Sequence, residues 1–238
     1  MAPLTEADRA AVTATTALCA AAALFVVLTV AAMALYPGGS YRDPRSAGYR
    51  FFGNFFSDLG QTRVMYGHLG TPNTTSMVLF VVAMVLVSVT LAWAAWPIGR
   101  MVSGLGDRAG AVLIGSTGTA AAIGFLGVAL DPWDLRFPLH MGFVKFAFGS
   151  LLVFMVAVAF EQIRNRWPWR DVAVGAIYAL ALAGYFLNLL YGPKLNTPNG
   201  VMIQSVLQKL IVYTSILCLT LIAWAVRARA LAGERVSS

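Results

Sequence analysis

Charge is what this sequence has least of. Only 11% of its 238 residues are Asp, Glu, Lys or Arg, whereas a soluble domain carries about 25%. That shortfall excludes an ordinary soluble fold. With 59% hydrophobic residues and a mean hydropathy of +0.74, the chain falls among polytopic membrane proteins. Cysteine is scarce too. Cys19 and Cys218 form no CxxC, no zinc spacing and no disulfide framework, and each lies in an apolar run where a free thiol acts as a small hydrophobe. Histidine is limited to His68 and His140, which excludes the dense His/Asp spacing of metal-dependent membrane hydrolases. A metal site from Asp58, Asp131, Asp134 and His140 is the lesser reading: His140 is expected to order the third connection by bonding to an aspartate, and Asp131 or Asp134 to cap the fourth helix and hold Arg136. No cofactor motif is present, so neither a cofactor nor a metal is expected. The net charge of +7 is scattered over short connections and forms no basic stripe, so nucleic acid is not an expected partner. No nucleophile elbow occurs, because Phe56-Ser57-Asp58-Leu59-Gly60 does not fit G-x-S-x-G. Internal repeats and Gly/Pro-broken spans, which mark transporters, are absent, and so is a filter-like segment.

What is there is a series of six long apolar runs, at about 12–36, 72–96, 109–130, 138–160, 172–191 and 201–226. Each is near the ~20 residues that cross a ~30 Å hydrocarbon core. The runs are continuous rather than alternating, so an all-α bundle of six transmembrane helices is expected, not a barrel. The first run is too long for a signal-peptide core and lacks a basic flank, so it is read as a span. Arg9, Arg100, Arg108, Arg164, Arg166, Arg170, Arg227, Arg229 and Arg235 fall on the side of the termini. Arg42, Arg45, Arg50, Arg63, Arg136 and Lys194 fall on the other. The bias places both termini in the cytoplasm of a cell-membrane protein. In the third run, Ala111, Gly115, Gly118 and Ala122 make a small-residue stripe that is expected to pack inside the bundle.

The first connection holds Arg50-Phe-Phe-Gly-Asn-Phe-Phe-Ser-Asp-Leu-Gly-Gln61. Wound as a helix, it puts Phe51, Phe52, Phe55, Phe56 and Leu59 on one face and Asn54, Ser57, Asp58 and Gln61 on the other. A short amphipathic helix on the outer membrane surface is therefore expected. The other unusual polar groups fall on the same side: His68, Asn73, Asp131, Asp134, His140, Gln204 and Gln208. Lys145 and Lys209 lie roughly 10–12 Å below that rim at 1.5 Å per helical residue. An unpaired lysine at such depth costs about 2.5–3.5 kcal/mol, so pairing with an aspartate, snorkelling and an anionic ligand all stay open.

The order Tyr-Pro-Gly-Gly, Asn54-Phe-Phe-Ser57-Asp58-Leu-Gly, then Asn73 at the head of an apolar run resembles the bacterial and archaeal family catalogued as domain of unknown function 998. Asp131-Pro-Trp-Asp134-Leu with His140, and Asn196-Thr-Pro-Asn-Gly before Gln208-Lys209, are similar to that family as well. The resemblance spans nearly the whole chain and implies a membrane protein of six or seven helices with no established activity. The Ser-Asp-x-Gly element also resembles the membrane family that remodels GPI lipids, which leans toward lipid.

The leading expectation is a pocket for a lipid or other amphiphile, built from Asn54, Asp58, Asp131, Asp134, His140, Lys145, Gln204, Gln208 and Lys209. Membrane lipids are the expected partners, with a homo-oligomer or a membrane partner beside them. Two alternatives stay open. One is an outer-leaflet lipid hydrolase or transferase using Asp58 and His140, with Ser57 as a weaker candidate. The other is an assembly or scaffold subunit that turns the small-residue stripe toward a partner.

Overall fold

A computed structural model describes residues 4–65, 70–104 and 106–233. Six helices account for most of them: α1 (Glu6–Ala34), α2 (Thr74–Ser103), α3 (Arg108–Leu130), α4 (Trp133–Arg164), α5 (Trp169–Tyr191) and α6 (Pro198–Ala232). All six are long and apolar enough to cross a membrane, so the chain is a multi-pass membrane protein. No strand occurs among the described residues, only the isolated bridges Gly38–Ala47 and Arg63–Pro72.

Helix limits differ from the hydropathy limits where local chemistry extends or interrupts them. α1 begins earlier than expected because Thr5 and Asp8 cap each other reciprocally. α2 runs through Pro97 to Ser103 instead of stopping there. Around α4 the residues Trp133–Leu135 form a first turn, and Arg136 then leaves helical geometry (φ −144°, ψ 64°). The continuous membrane helix thus starts next to Pro138, close to the expected limit.

Consecutive helices pack in order and α6 returns to α1, which closes a six-membered ring. The small-residue stripe of α3 is consumed inside this ring. Gly115 lies against Trp96, and Gly118 against Ala95 of α2 and Phe154 of α4. At these two positions the stripe packs helices, as expected of small residues. At Gly124 the neighbour is main chain: an added Cβ would sit 2.7 Å from the backbone of Ala147. Backbone cannot swing aside as a side chain can, so Gly124→Val is expected to cost about 2–4 kcal/mol. Gly142 has open space around it, and Gly142→Ala is expected to change stability by less than about 1 kcal/mol. Thermal unfolding of both variants in detergent checks the pair.

The end that carries the termini holds more than anchoring Arg and Trp. Asp107 caps α3 by accepting from the Gly110 N–H at 3.0 Å and pairs with Arg164. The Gly110 hydrogen bond and then the Arg164 guanidinium hold its carboxyl below the usual aspartate range. Arg164 also pairs with buried Glu161 at 2.7 Å, and Asn165 donates to the Val102 carbonyl at 3.0 Å. This network ties α2, α3 and α4 together. Cys19 reaches toward the Thr220 carbonyl at 3.9 Å, so the cysteines sit on facing helices, both as free thiols.

Candidate functional site

The opposite end of the ring is plugged by the connection between α1 and α2. The expected twelve-residue amphipathic helix does not form. Helical structure there is limited to a five-residue 3₁₀ turn, Phe56–Gly60. The reason is local. Asn54 Oδ1 accepts from the Arg50 N–H at 2.8 Å, and Asp58 Oδ2 accepts from the Phe55 N–H at 2.9 Å. Asp58 thereby occupies the Phe55 N–H, which a helix through this stretch would direct to the Phe51 carbonyl, as short polar side chains do. The aromatic residues consequently split. Phe51 and Phe52 are 41% and 63% exposed, while Phe56 is buried between Phe25, Phe80 and Tyr213. Asn54, Asp58 and Gln61 point into the protein rather than to solvent, each no more than 1% exposed.

Hydrogen bonds to the heads of α2 and α4 and to α6 hold the plug. Asn73 Nδ2 donates to the Leu59 and Gln61 carbonyls, both at 3.0 Å. This buried amide is a clasp. Asp134 accepts from the Thr62 hydroxyl at 2.6 Å and from the Thr62 N–H at 3.1 Å. From α6, Gln208 Oε1 accepts from the Phe56 N–H at 2.7 Å. Lys209, fully buried, donates to the Asn54 carbonyl and, at 2.8 Å, to the Ser205 carbonyl. Its ammonium lies 5.1 Å from the Phe51 ring centre and 5.6 Å from that of Tyr49.

Beside the plug lies a vestibule of about 510 Å³. The 3₁₀ turn contributes Ser57 and Asp58, α4 contributes Trp133, Phe137 and His140, α5 contributes Tyr185 and Asn188, and α6 contributes Gln204 and Gln208. Lys194 stands in the connection between α5 and α6 and also lines it. A second chamber of about 60 Å³ lies toward the ring interior, walled by Phe25, Phe80, Phe125, Phe148 and Leu151. Ser57, His140, Val144 and Gln208 line both spaces. The inner chamber has room for about two waters. A third space of about 300 Å³ lies between α5 and α6, lined by Ala181, Gly184, Leu207 and Leu210, and Tyr185 belongs both to it and to the vestibule.

One acceptor on the vestibule wall, on His140, has no hydrogen-bond partner among the described residues. His140 is 3% exposed, and its Nδ1 lies 2.7 Å from the Asp131 carbonyl. A carbonyl only accepts, so Nδ1 carries the proton and, in the neutral ring, Nε2 carries a lone pair. That Nε2 is buried and unpaired. The Asp58 carboxyl is buried as well, with Oδ2 accepting from Asn54 and Phe55 and the Gln61 side chain adding a further hydrogen bond. Burial pushes the Asp58 carboxyl up to about 6, against the opposing pull of its hydrogen bonds with Asn54, Phe55 and Gln61 and the charge of Lys209.

The residues expected at the site therefore divide. Asp58, His140, Gln204 and Gln208 meet at the vestibule, together with Ser57. Asn54 and Lys209 brace the plug behind the wall, and Asp134 ties it to α4. Asp131 is buried and paired with Arg136 at 2.6 Å, and reaches the site only through its carbonyl on His140. Lys145 is exposed on the outside of α4, so the two deep lysines do not face one site. His68 lies outside the described residues. Tyr185, Asn188 and Lys194 join the lining without any motif to announce them; only their position near the end of α5 pointed there. No hydrogen bond joins Ser57 to His140, and no group of three metal-ligating side chains occurs among the described residues. No protein-family model, no curated protein and no solved structure matches this chain.

Proposed function

We propose that this chain is a cell-membrane protein with both termini in the cytoplasm, and that it binds an amphiphile. The polar head occupies the vestibule, and the tail lies in the groove between α5 and α6. The observation that carries this reading is the meeting of the two spaces at Tyr185. Tyr185 lines both a mostly apolar cavity that carries a few polar side chains and an apolar groove between α5 and α6. Pockets of this size, mostly apolar with a few fixed polar groups, are the usual form of small-molecule sites. The motif order that resembles the domain of unknown function 998 family fits the same reading. Its Asn54, Ser57, Asp58, Asn73, His140 and Gln208 all belong to the plug or to the vestibule wall.

Gly184 provides the test, because a Cβ there meets nothing within 4 Å. Gly184→Leu fills the groove without strain and improves helix propensity. Native mass spectrometry of the protein extracted from its membrane in mild detergent is expected to show a retained amphiphile, and Gly184→Leu is expected to remove it while the unfolding temperature holds. Equal retention by the variant would sink the assignment of the tail.

A second reading, a lipid hydrolase or transferase, draws on the presence of Asp58 and His140 in one vestibule. It requires turnover of a lipid panel that Asp58→Asn abolishes.

A further inference from the structure

The chemistry of the vestibule wall narrows the head group, granted the amphiphile reading above. Nε2 of His140 is an acceptor, buried, and without a partner among the described residues, and the Asp58 carboxylate beside it is a second acceptor on the lining. A buried acceptor left unpaired carries a penalty that a ligand donor removes. Gln208 adds the opposite function. Its Oε1 is fixed by the Phe56 N–H, which leaves its amide nitrogen as a donor on a residue that lines the cavity. Ser57 supplies a hydroxyl of either sense beside it.

Each class of head meets this wall differently. A carboxylate or an ionised phosphate only accepts, so it would face the Asp58 carboxylate and the His140 lone pair with nothing to offer them. An ammonium only donates. It would satisfy those acceptors but leave the Gln208 donor unanswered, with Lys194 on the lining and buried Lys209 behind the wall repelling it. A hydroxyl both donates and accepts, and one or two adjacent hydroxyls answer the His140, Asp58 and Gln208 groups together.

We propose that the vestibule selects a neutral, hydroxyl-bearing head of the glycerol or sugar type over carboxylate, phosphate and ammonium heads. The deep lysines then play no part in recognising charge. Lys145 faces away, and Lys209 is already satisfied by two carbonyls.

The experiment offers the full chain in mild detergent an equimolar mixture of 1-monooleoylglycerol, oleate and oleylamine, which share one tail, and reads the adducts by native mass spectrometry. The monooleoylglycerol adduct is expected to exceed each of the other two by about tenfold, the worth of one buried hydrogen bond. His140→Phe, which keeps the ring and removes the lone pair, is expected to lower that ratio by about fivefold or more. Gly184→Leu is expected to lower all three adducts together. Retention of oleate or oleylamine at the level of monooleoylglycerol overturns the head-group assignment and leaves the amphiphile reading standing. An unchanged ratio in His140→Phe overturns it as well. Retention of none of the three overturns both.

Discussion

Lys209→Met is expected to destabilise the folded chain by about 2–4 kcal/mol. For a chain of this length that is a fall of roughly 4–16 °C in unfolding temperature. The ammonium is fully buried and donates to the Asn54 carbonyl, which belongs to the plug, and to the Ser205 carbonyl on its own helix. Methionine matches the stem in length but donates nothing. The Asn54 carbonyl is then left in a dry site, and the Asp58 carboxylate loses the nearby positive charge that lowers its proton affinity. Removing a buried charge also lifts its own desolvation cost, which holds the loss below the upper end for broken buried pairs. The sharper test is a double-mutant cycle. Asp58→Asn in the Lys209→Met background is expected to recover about 1 kcal/mol or more, because the uncompensated carboxylate is gone. Additive losses would show that Lys209 and Asp58 do not act on each other. Lys209 does not line the vestibule, so its replacement reads out on stability rather than on ligand recognition.

The second large effect is a pH dependence set by Asp58. Its carboxyl, ordinarily near 3.8, is pushed up to about 6 by burial. Between those values the folded chain keeps a proton that the unfolded chain has released. Stability contributed by this group is therefore full below about pH 4 and is lost as pH rises through about 6. The difference amounts to about 3 kcal/mol. The wild-type chain is expected to show this decline in detergent unfolding between pH 4 and 6, and Asp58→Asn is expected to lack it. Identical slopes in the two proteins would mean that Asp58 ionises as freely in the folded chain as in the unfolded one.

Much of the architecture was readable without coordinates, and particular residues show why. A membrane span needs a run of apolar side chains whatever its neighbours do, so the hydropathy of α2 or α3 alone identifies it. The small-residue stripe also spoke for itself, since close helix approach is the main use of such residues in a bundle. The stretch Arg50–Gln61 did not. Its apolar and polar residues fit a helical wheel, but Asn54 and Asp58 bond to backbone donors inside the segment. The competition between side chain and backbone for one N–H is settled in three dimensions, and here the side chains win.

The deep lysines make the same point at longer range. They lie at similar depth in the sequence reading, yet Lys145 faces outward and Lys209 is sealed inside. Depth follows from counting residues along a helix, whereas facing depends on how each helix is rotated against its neighbours. His140 differs again: its residue type made it a candidate, but only the Asp131 carbonyl on Nδ1 leaves Nε2 as the open acceptor.

By itself, then, the sequence determined the membrane class, the six spans and the gathering of polar residues at one end of the bundle. Those properties are set along a single helix or a single run, by the cost of placing polar groups in hydrocarbon. Only the tertiary structure decided which of the gathered residues wall a cavity and which brace the plug beside it. That division depends on partners far away in the chain: Phe56 with Gln208, Asn54 with Lys209, Thr62 with Asp134. Whether a buried polar atom is satisfied or left open depends on what packs against it, and no local pattern carries that information.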